Sequence, residues 1–291
     1  MRPLWPRAFL GALCFAGWRL YLITDLTEPF TGFLRRGQPF GMLFVGMLGL
    51  FLLVLDLKQR ARIRRLPAPE AGAGAGVGAA RLLVALAAAA GLGGSAFLAL
   101  QEGFRLHGAY AAGAGLTALS LLLLLPAQQG RRARDGAAWG LCMVPVGWSL
   151  LALLASHMAN NTLAAVPENA FTVIGCGLLT LALYGEARRC ALGCADPALR
   201  GTQAAAVFLT AAVLPQALLR ALVPALSALF ISRCTAIDLA LIALIPWLWQ
   251  RFAALERQAL RQADTHIKDA QEEVHDETVP SLPEVSADGG C

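Results

Sequence analysis

The sequence predicts an all-α, polytopic membrane protein with eight transmembrane helices in antiparallel hairpins, a cytoplasmic C-terminal helix and a disordered tail. Three observations predict it. The chain is 57% hydrophobic and only 15% charged, where a soluble domain carries about 25% charged residues. Its charges lie between apolar runs of about 20 residues, the length that matches the hydrocarbon core of a bilayer. Its cations also gather on alternate connections. The densest group, Lys58, Arg60, Arg62, Arg64 and Arg65, follows the apolar run 40–55 directly. A basic cluster at the end of a span stays in the cytoplasm, so this one orients span 2 and, by alternation, all the others.

Span 1 is expected at 8–24. Arg2 and Arg7 ahead of an apolar run resemble a signal peptide, but Trp18-Arg19-Leu20-Tyr21 offers no small-x-small cleavage site, so the span is retained. Span 2 is expected at 39–56. Residues 66–79, rich in Pro, Gly and Ala, have little to pack and read as a flexible cytoplasmic linker. Spans 3 (80–100) and 4 (108–127) are joined by only Gln101 to His107, which makes them a tight hairpin. Small residues four apart, Ala89/Gly93, Ala90/Gly94 and Gly91/Ser95 in span 3 and Ala109/Gly113 and Ala111/Gly115 in span 4, make smooth faces for close helix packing. A second basic loop, 128–135, leads to span 5 (137–158), which contains Pro145 and Gly147. Span 6 (167–185) begins with Pro167 at a favoured first helical position and Glu168 at the positive end of the helix dipole. Residues 186–200 read as the third basic loop.

Span 7 is expected at 201–220, with Pro215 and Gln216 inside it. Residues 221–234 are too apolar for a solvated loop and too few for a span. They read either as an interfacial or re-entrant helix or as the end of a long tilted span 7. Span 8 (234–249) closes on Trp247, Trp249 and Arg251, read as an aromatic-then-basic interface anchor. The transmembrane domain is thus 1–250, followed by a cytoplasmic helix at 251–277 and a disordered acidic tail at 278–291. With both termini in the cytoplasm of a cell with an inner membrane, every cytoplasmic connection is basic, and only Arg19, Arg35, Arg36, Arg105, Arg220 and Arg233 lie elsewhere. Merging residues 201–249 into one span would place Arg251, Arg257 and Arg261 outside, against this bias.

Ionisable side chains inside a span cost up to ~2.5–3.5 kcal/mol each at mid-bilayer, so they need a partner or a hydrated cavity. Arg19 and Asp238 lie at similar depths from the outer ends of spans 1 and 8, roughly 6–9 Å at ~1.5 Å per residue. His157, Glu168 and Arg233 fall near the same level, and Gln216 beside Pro215 adds a polar group. Two readings compete for these six residues. One is an outward-facing polar pocket that holds a small solute. The other is a structural ion pair with snorkelling and capping side chains.

The net charge of +5 comes from span-flanking arginines, which removes any need for a nucleic-acid partner. The H-E-x-x-H, G-x-S-x-G, P-loop and paired-Glu protease signatures are missing, and no cofactor is implied. Of the seven cysteines, Cys14, Cys142 and Cys176 lie in apolar spans and behave as small hydrophobes. Cys190 and Cys194 share a helical face but have no second Cys/His pair to complete a metal site. Cys291 lacks a C-a-a-X context for prenylation.

The segment PENAFTVIGCGLLTLALYGEARR (167–189) resembles a recurring pattern in uncharacterised multi-pass bacterial membrane proteins, a resemblance that implies no activity. The tail AQEEVHDETVPSLPEV (270–285) is similar to the phosphoacceptor helix of one class of sensor histidine kinase, through His275, Asp276, Thr278, Val279 and Leu282. It departs from that class in having Gln271-Glu272-Glu273 ahead of the histidine and prolines at 280 and 283. No ATP-binding domain follows, so the chain cannot phosphorylate itself. The expected function is permease-like handling of a small solute, with the bilayer as partner. The alternative is a membrane sensor or scaffold that signals through its C-terminal helix to a cytoplasmic protein. A cysteine placed after Arg65 should resist a membrane-impermeant maleimide in intact cells and react once they are lysed; labelling in intact cells would invert the topology.

Overall fold

The computed structural model describes residues 3–26, 38–63, 78–123, 136–160, 167–192, 195–222 and 235–277. The linker at 66–77, the basic loop at 128–135, most of 221–234 and the tail from 278 lie outside them, as does Arg233. The described chain is helical: α1 (Trp5–Tyr21), which runs into a π-helical turn at Leu22–Leu26, α2 (Gln38–Ile63), α3 (Ala79–Glu102), α4 (His107–Leu123), α5 (Gly136–Asn160), α6 (Pro167–Leu192), α7 (Ala195–Phe208), α8 (Leu214–Leu222) and α9 (Thr235–Glu277). A π-helical segment, Leu209–Val213, joins α7 to α8 as one rod. Among the described residues, six helices are long and apolar enough to cross a membrane: those within α2, α3, α5, α6, the α7–α8 rod and α9. The shorter α4 is also apolar. This is the build of a helical polytopic protein.

Side-chain contacts give the relative direction of several rods. Gln250 of α9 meets Ala80 at the start of α3, while Ala236 meets Glu102 at its end, so α3 and α9 are antiparallel. Thr210 bonds Trp249, and Gln216 reaches Thr172, which bonds Asp238, so α7–α8 also opposes α9. The start of α1 bonds Glu256, and its last turn reaches Phe171. Phe44 meets Phe171 and Asp56 meets Arg200, so α2 runs back alongside. Neighbouring rods pack in the cycle α3–α4–α5–α6–α7–α9 and back to α3, with α1 laid across α7–α8. Outside this ring, α2 turns Met42, Leu43, Leu50 and Leu53 outward, with Met42 at 75% exposure. Such a face suits lipid contact and not water.

The structure departs from the sequence expectation in two places. Residues 186–192, read as a basic loop, continue α6 to Leu192, because Glu186 and Arg189 neutralise each other one turn apart and need no water. Trp247 and Trp249, read as an interface anchor with Arg251, are buried in the bundle. As the pattern beyond Arg251 predicts, the helix runs on past them: α9 is 43 residues long. At ~1.5 Å per residue that is about 65 Å, twice the hydrocarbon thickness.

The bulge between α7 and α8 has a local cause. Pro215 cannot donate to the carbonyl four residues back, and its ring would clash with it. The backbone widens just ahead of it, so that Leu214 donates to Leu209 across five residues. The α3–α4 turn is set by Gly103 at φ +59°, a left-handed position that glycine takes without strain and that ends α3 by returning its N–H to Ala99.

Close packing relies on glycine where helices cross. Gly91 of α3 faces Ala243 of α9, so the small-residue face of α3 serves the ring closure. A Cβ on Gly201 would lie 3.0 Å from both Ala182 Cα and Leu181 O of α6, which are backbone atoms with no room to yield. Gly201→Ala should therefore lower stability by about 1–3 kcal/mol. Gly177→Ala, which opens into free space, should be neutral or gain up to roughly 1 kcal/mol from helix propensity. Thermal unfolding in detergent micelles reads both.

Candidate functional site

Two buried polar clusters pin α6 to α9, one near each end of their shared length. At the first, the Thr172 hydroxyl donates to Asp238 Oδ1 at 3.0 Å and accepts from Gln216 Nε2 at 3.0 Å. Asp238 is 3% exposed and Gln216 is fully buried. The other amide atom of Gln216, Oε1, is buried with no hydrogen-bond partner. Arg19 of α1, 2% exposed, holds its guanidinium 4.6 Å over the Phe171 ring and 6.0 Å from that of Phe44. A desolvated cation on an aromatic face is stabilised by about 2 kcal/mol. Since Arg19 reaches Phe171 and Asp238 reaches Thr172, adjacent residues of α6, the two opposite charges lie at one level. Phe15, Trp18 and Phe208 extend the aromatic wall.

The structure therefore brings three of the six sequence candidates, Arg19, Gln216 and Asp238, to one place, and adds Thr172, Phe171 and Phe44. His157 is exposed in the last turn of α5 and makes none of these bonds. The Glu168 side chain and Arg233 lie outside the described residues. The aromatic partners were invisible to a search for charge. Thr172 had one signal, a hydroxyl on the α6 face that also bears Glu186.

The second cluster was missed. Arg251 of α9 clamps Glu186 of α6 through three contacts of 2.8–3.1 Å, and Arg189 Nε adds a fourth at 3.1 Å. Glu186 is only 8% exposed. Beside it lie Cys142 of α5 and Cys190 of α6, both free thiols. Cys142, Pro145, Glu186, Cys190 and Trp247 are among the residues lining a cavity of about 20 Å³, room for one water. Thr172 and Glu186 are 14 residues apart on α6, and Asp238 and Arg251 are 13 apart on α9. At ~1.5 Å per residue the clusters are separated by about 20 Å along two parallel helices.

Three carboxylates tie helix ends together. Glu256 accepts the Leu4 and Trp5 N–H groups at 2.6 and 2.9 Å, at the start of α1. Glu102 accepts the Ala236 N–H at 3.2 Å at the start of α9. Asp56 of α2 receives Arg200 and Arg60. Ser95, Tyr110 and the Ala236 carbonyl form a buried triad, with both hydroxyls near one acceptor. Among the described residues no group of three or more His, Cys, Asp or Glu side chains is placed to share a metal ion.

Comparison with protein-family models, with curated proteins and with solved structures finds no match.

Removing one member of a desolvated ion cluster leaves charge without compensation. Glu186→Ala should cost about 3–5 kcal/mol. Replacing Glu186, Arg189 and Arg251 together by Met should recover most of that loss. Unfolding of the three-site and single variants in micelles measures the coupling; a three-site loss equal to the sum of the single losses would show that the charges contribute independently.

Proposed function

We propose that the protein is an eight-span integral membrane permease for a small polar solute, with both termini in the cytoplasm of a bacterial-type inner membrane. The supporting observation is the Arg19–Thr172–Gln216–Asp238 cluster. It places one cation, one carboxylate and an unpaired amide acceptor at the meeting point of α1, α6, α8 and α9. Buried ionisable groups inside apolar helices are costly and mark solute or ion paths. The site is closed in this conformation. The break at Leu209–Val213 and Pro215 lies one turn from Gln216, so α8 is the segment able to swing and admit a solute from the outer side. Bulges of this kind recur where helices serve function. The orientation follows from the arginine distribution, which puts the Glu186–Arg251 cluster and α9 beyond it on the cytoplasmic side.

Proteoliposomes loaded against a panel of labelled amino acids, sugars and small organic ions test the reading. Wild-type protein should catalyse flux of at least one class, and Asp238→Asn should reduce it by about tenfold or more while eluting normally on gel filtration. Flux unchanged in Asp238→Asn and in Gln216→Ala would return the cluster to a purely structural role. The alternative, signalling through the C-terminal helix, is separated by truncation after Arg261: a permease keeps its flux, whereas a sensor loses its output.

A further inference from the structure

We propose that Cys142 and Cys190 form a redox-active dithiol, oxidised by hydrogen peroxide to a disulfide that joins α5 to α6. The two residues are distant in sequence, yet the antiparallel packing of α5 on α6 brings the second turn of one helix beside the last turn of the other. Both cysteines open on the same cavity of about 20 Å³. That volume admits about one water, and hydrogen peroxide is the one hydroperoxide close to this size. Cys142 is buried, whereas Cys190 is partly exposed and is the sulfur an entering oxidant meets first. Arg189, next to Cys190, keeps a buried Nη2 with no hydrogen-bond partner. That N–H is a donor available to the oxygen that the peroxide leaves behind.

The chemistry closes with these groups and the peroxide alone. Cys190 sulfur attacks one peroxide oxygen, the O–O bond breaks, and the departing hydroxide leaves as water with the thiol proton, giving a sulfenic acid. Cys142 sulfur then attacks Cys190 sulfur, the S–O bond breaks, and hydroxide leaves with the Cys142 proton as a second water. Two thiols lose two electrons in total, and one peroxide gains them. The disulfide requires the two sulfurs to close to the bonded distance of about 2.05 Å. The resulting cross-link would lock the α5–α6 hairpin at the end that holds Glu186 and Arg251. On the cytoplasmic side, where thiols are kept reduced, such a bond is transient and responsive. None of this depends on solute handling at the Asp238 cluster.

The test uses the purified full chain in micelles, treated with hydrogen peroxide, acid-quenched, denatured and labelled with a maleimide. Wild type should lose two of its seven thiols, recovered on treatment with dithiothreitol, and its non-reduced peptide map should contain a cross-link between Cys142 and Cys190. In Cys142→Ser, Cys190 should instead accumulate a sulfenic acid that dimedone captures. Retention of all seven thiols in wild type, or a Cys190–Cys194 cross-link in place of Cys142–Cys190, overturns the proposal. The wild-type map is decisive by itself, so poor folding of the Cys142→Ser variant does not alter the outcome.

Discussion

Buried charge on this bundle is tolerated only where another helix supplies its complement, and α9 is the helix on which those complements meet. Its first turn presents N–H groups to Glu102 of α3, and its Arg251 is clamped by Glu186 of α6. One turn further on, Glu256 satisfies the opening N–H groups of α1, whose own first turn contains no acid. The first N–H groups of a helix have no intrahelical acceptor, and hydrocarbon offers none either. A carboxylate placed across the interface meets that need and complements the helix dipole. Each such bond also sets the axial position of one rod against another, which apolar packing alone does loosely. Remove α9 and the ring α3–α4–α5–α6–α7 has no closing member.

The parallel pair α6 and α9 is held at two levels about 20 Å apart, through Thr172–Asp238 and Glu186–Arg251. Between those pins both helices carry buried apolar side chains, among them Leu179, Leu183, Leu241 and Leu244. The opposing rod is not so uniform. Its π segment and Pro215 interrupt the regular ladder within a fully buried stretch, and Thr210 there turns one bond back to Ala206 while accepting the Trp249 indole N–H. A stiff frame with one weakened member concentrates displacement in that member. This is why α8, and not α6 or α9, carries the motion in the permease reading.

The clusters also differ in chemistry. Around Asp238 the charges are diluted by a hydroxyl, an amide and aromatic faces, and one amide oxygen lacks a partner. Around Glu186 two guanidiniums converge on one carboxylate with near-ideal bonding distances. The first mixes charge with neutral polar and aromatic groups and leaves the Gln216 amide oxygen without a hydrogen bond. The second is a close clamp that leaves Arg189 Nη2 without a hydrogen bond, and the two thiols lie beside it.

Periodicity and charge segregation by themselves determined the class of protein and the succession of apolar helices. These follow from hydrophobic length and from the cost of moving charge into hydrocarbon, both local properties of the chain. They also singled out Arg19 and Asp238, since a charge inside an apolar run is visible without any knowledge of its neighbours. Which groups compensate each charge was decided only by the tertiary structure. Phe171 beside Arg19, Arg251 beside Glu186, Cys142 beside Cys190 and Glu256 at the head of α1 are all pairings across long stretches of chain. The segment EARRC read as a loop because its charges look solvated in one dimension. In three dimensions α9 brings Arg251 against it, and helix neutralised from outside has no reason to end. A pairing energy depends on distance in space, and one chain read end to end carries no record of that distance.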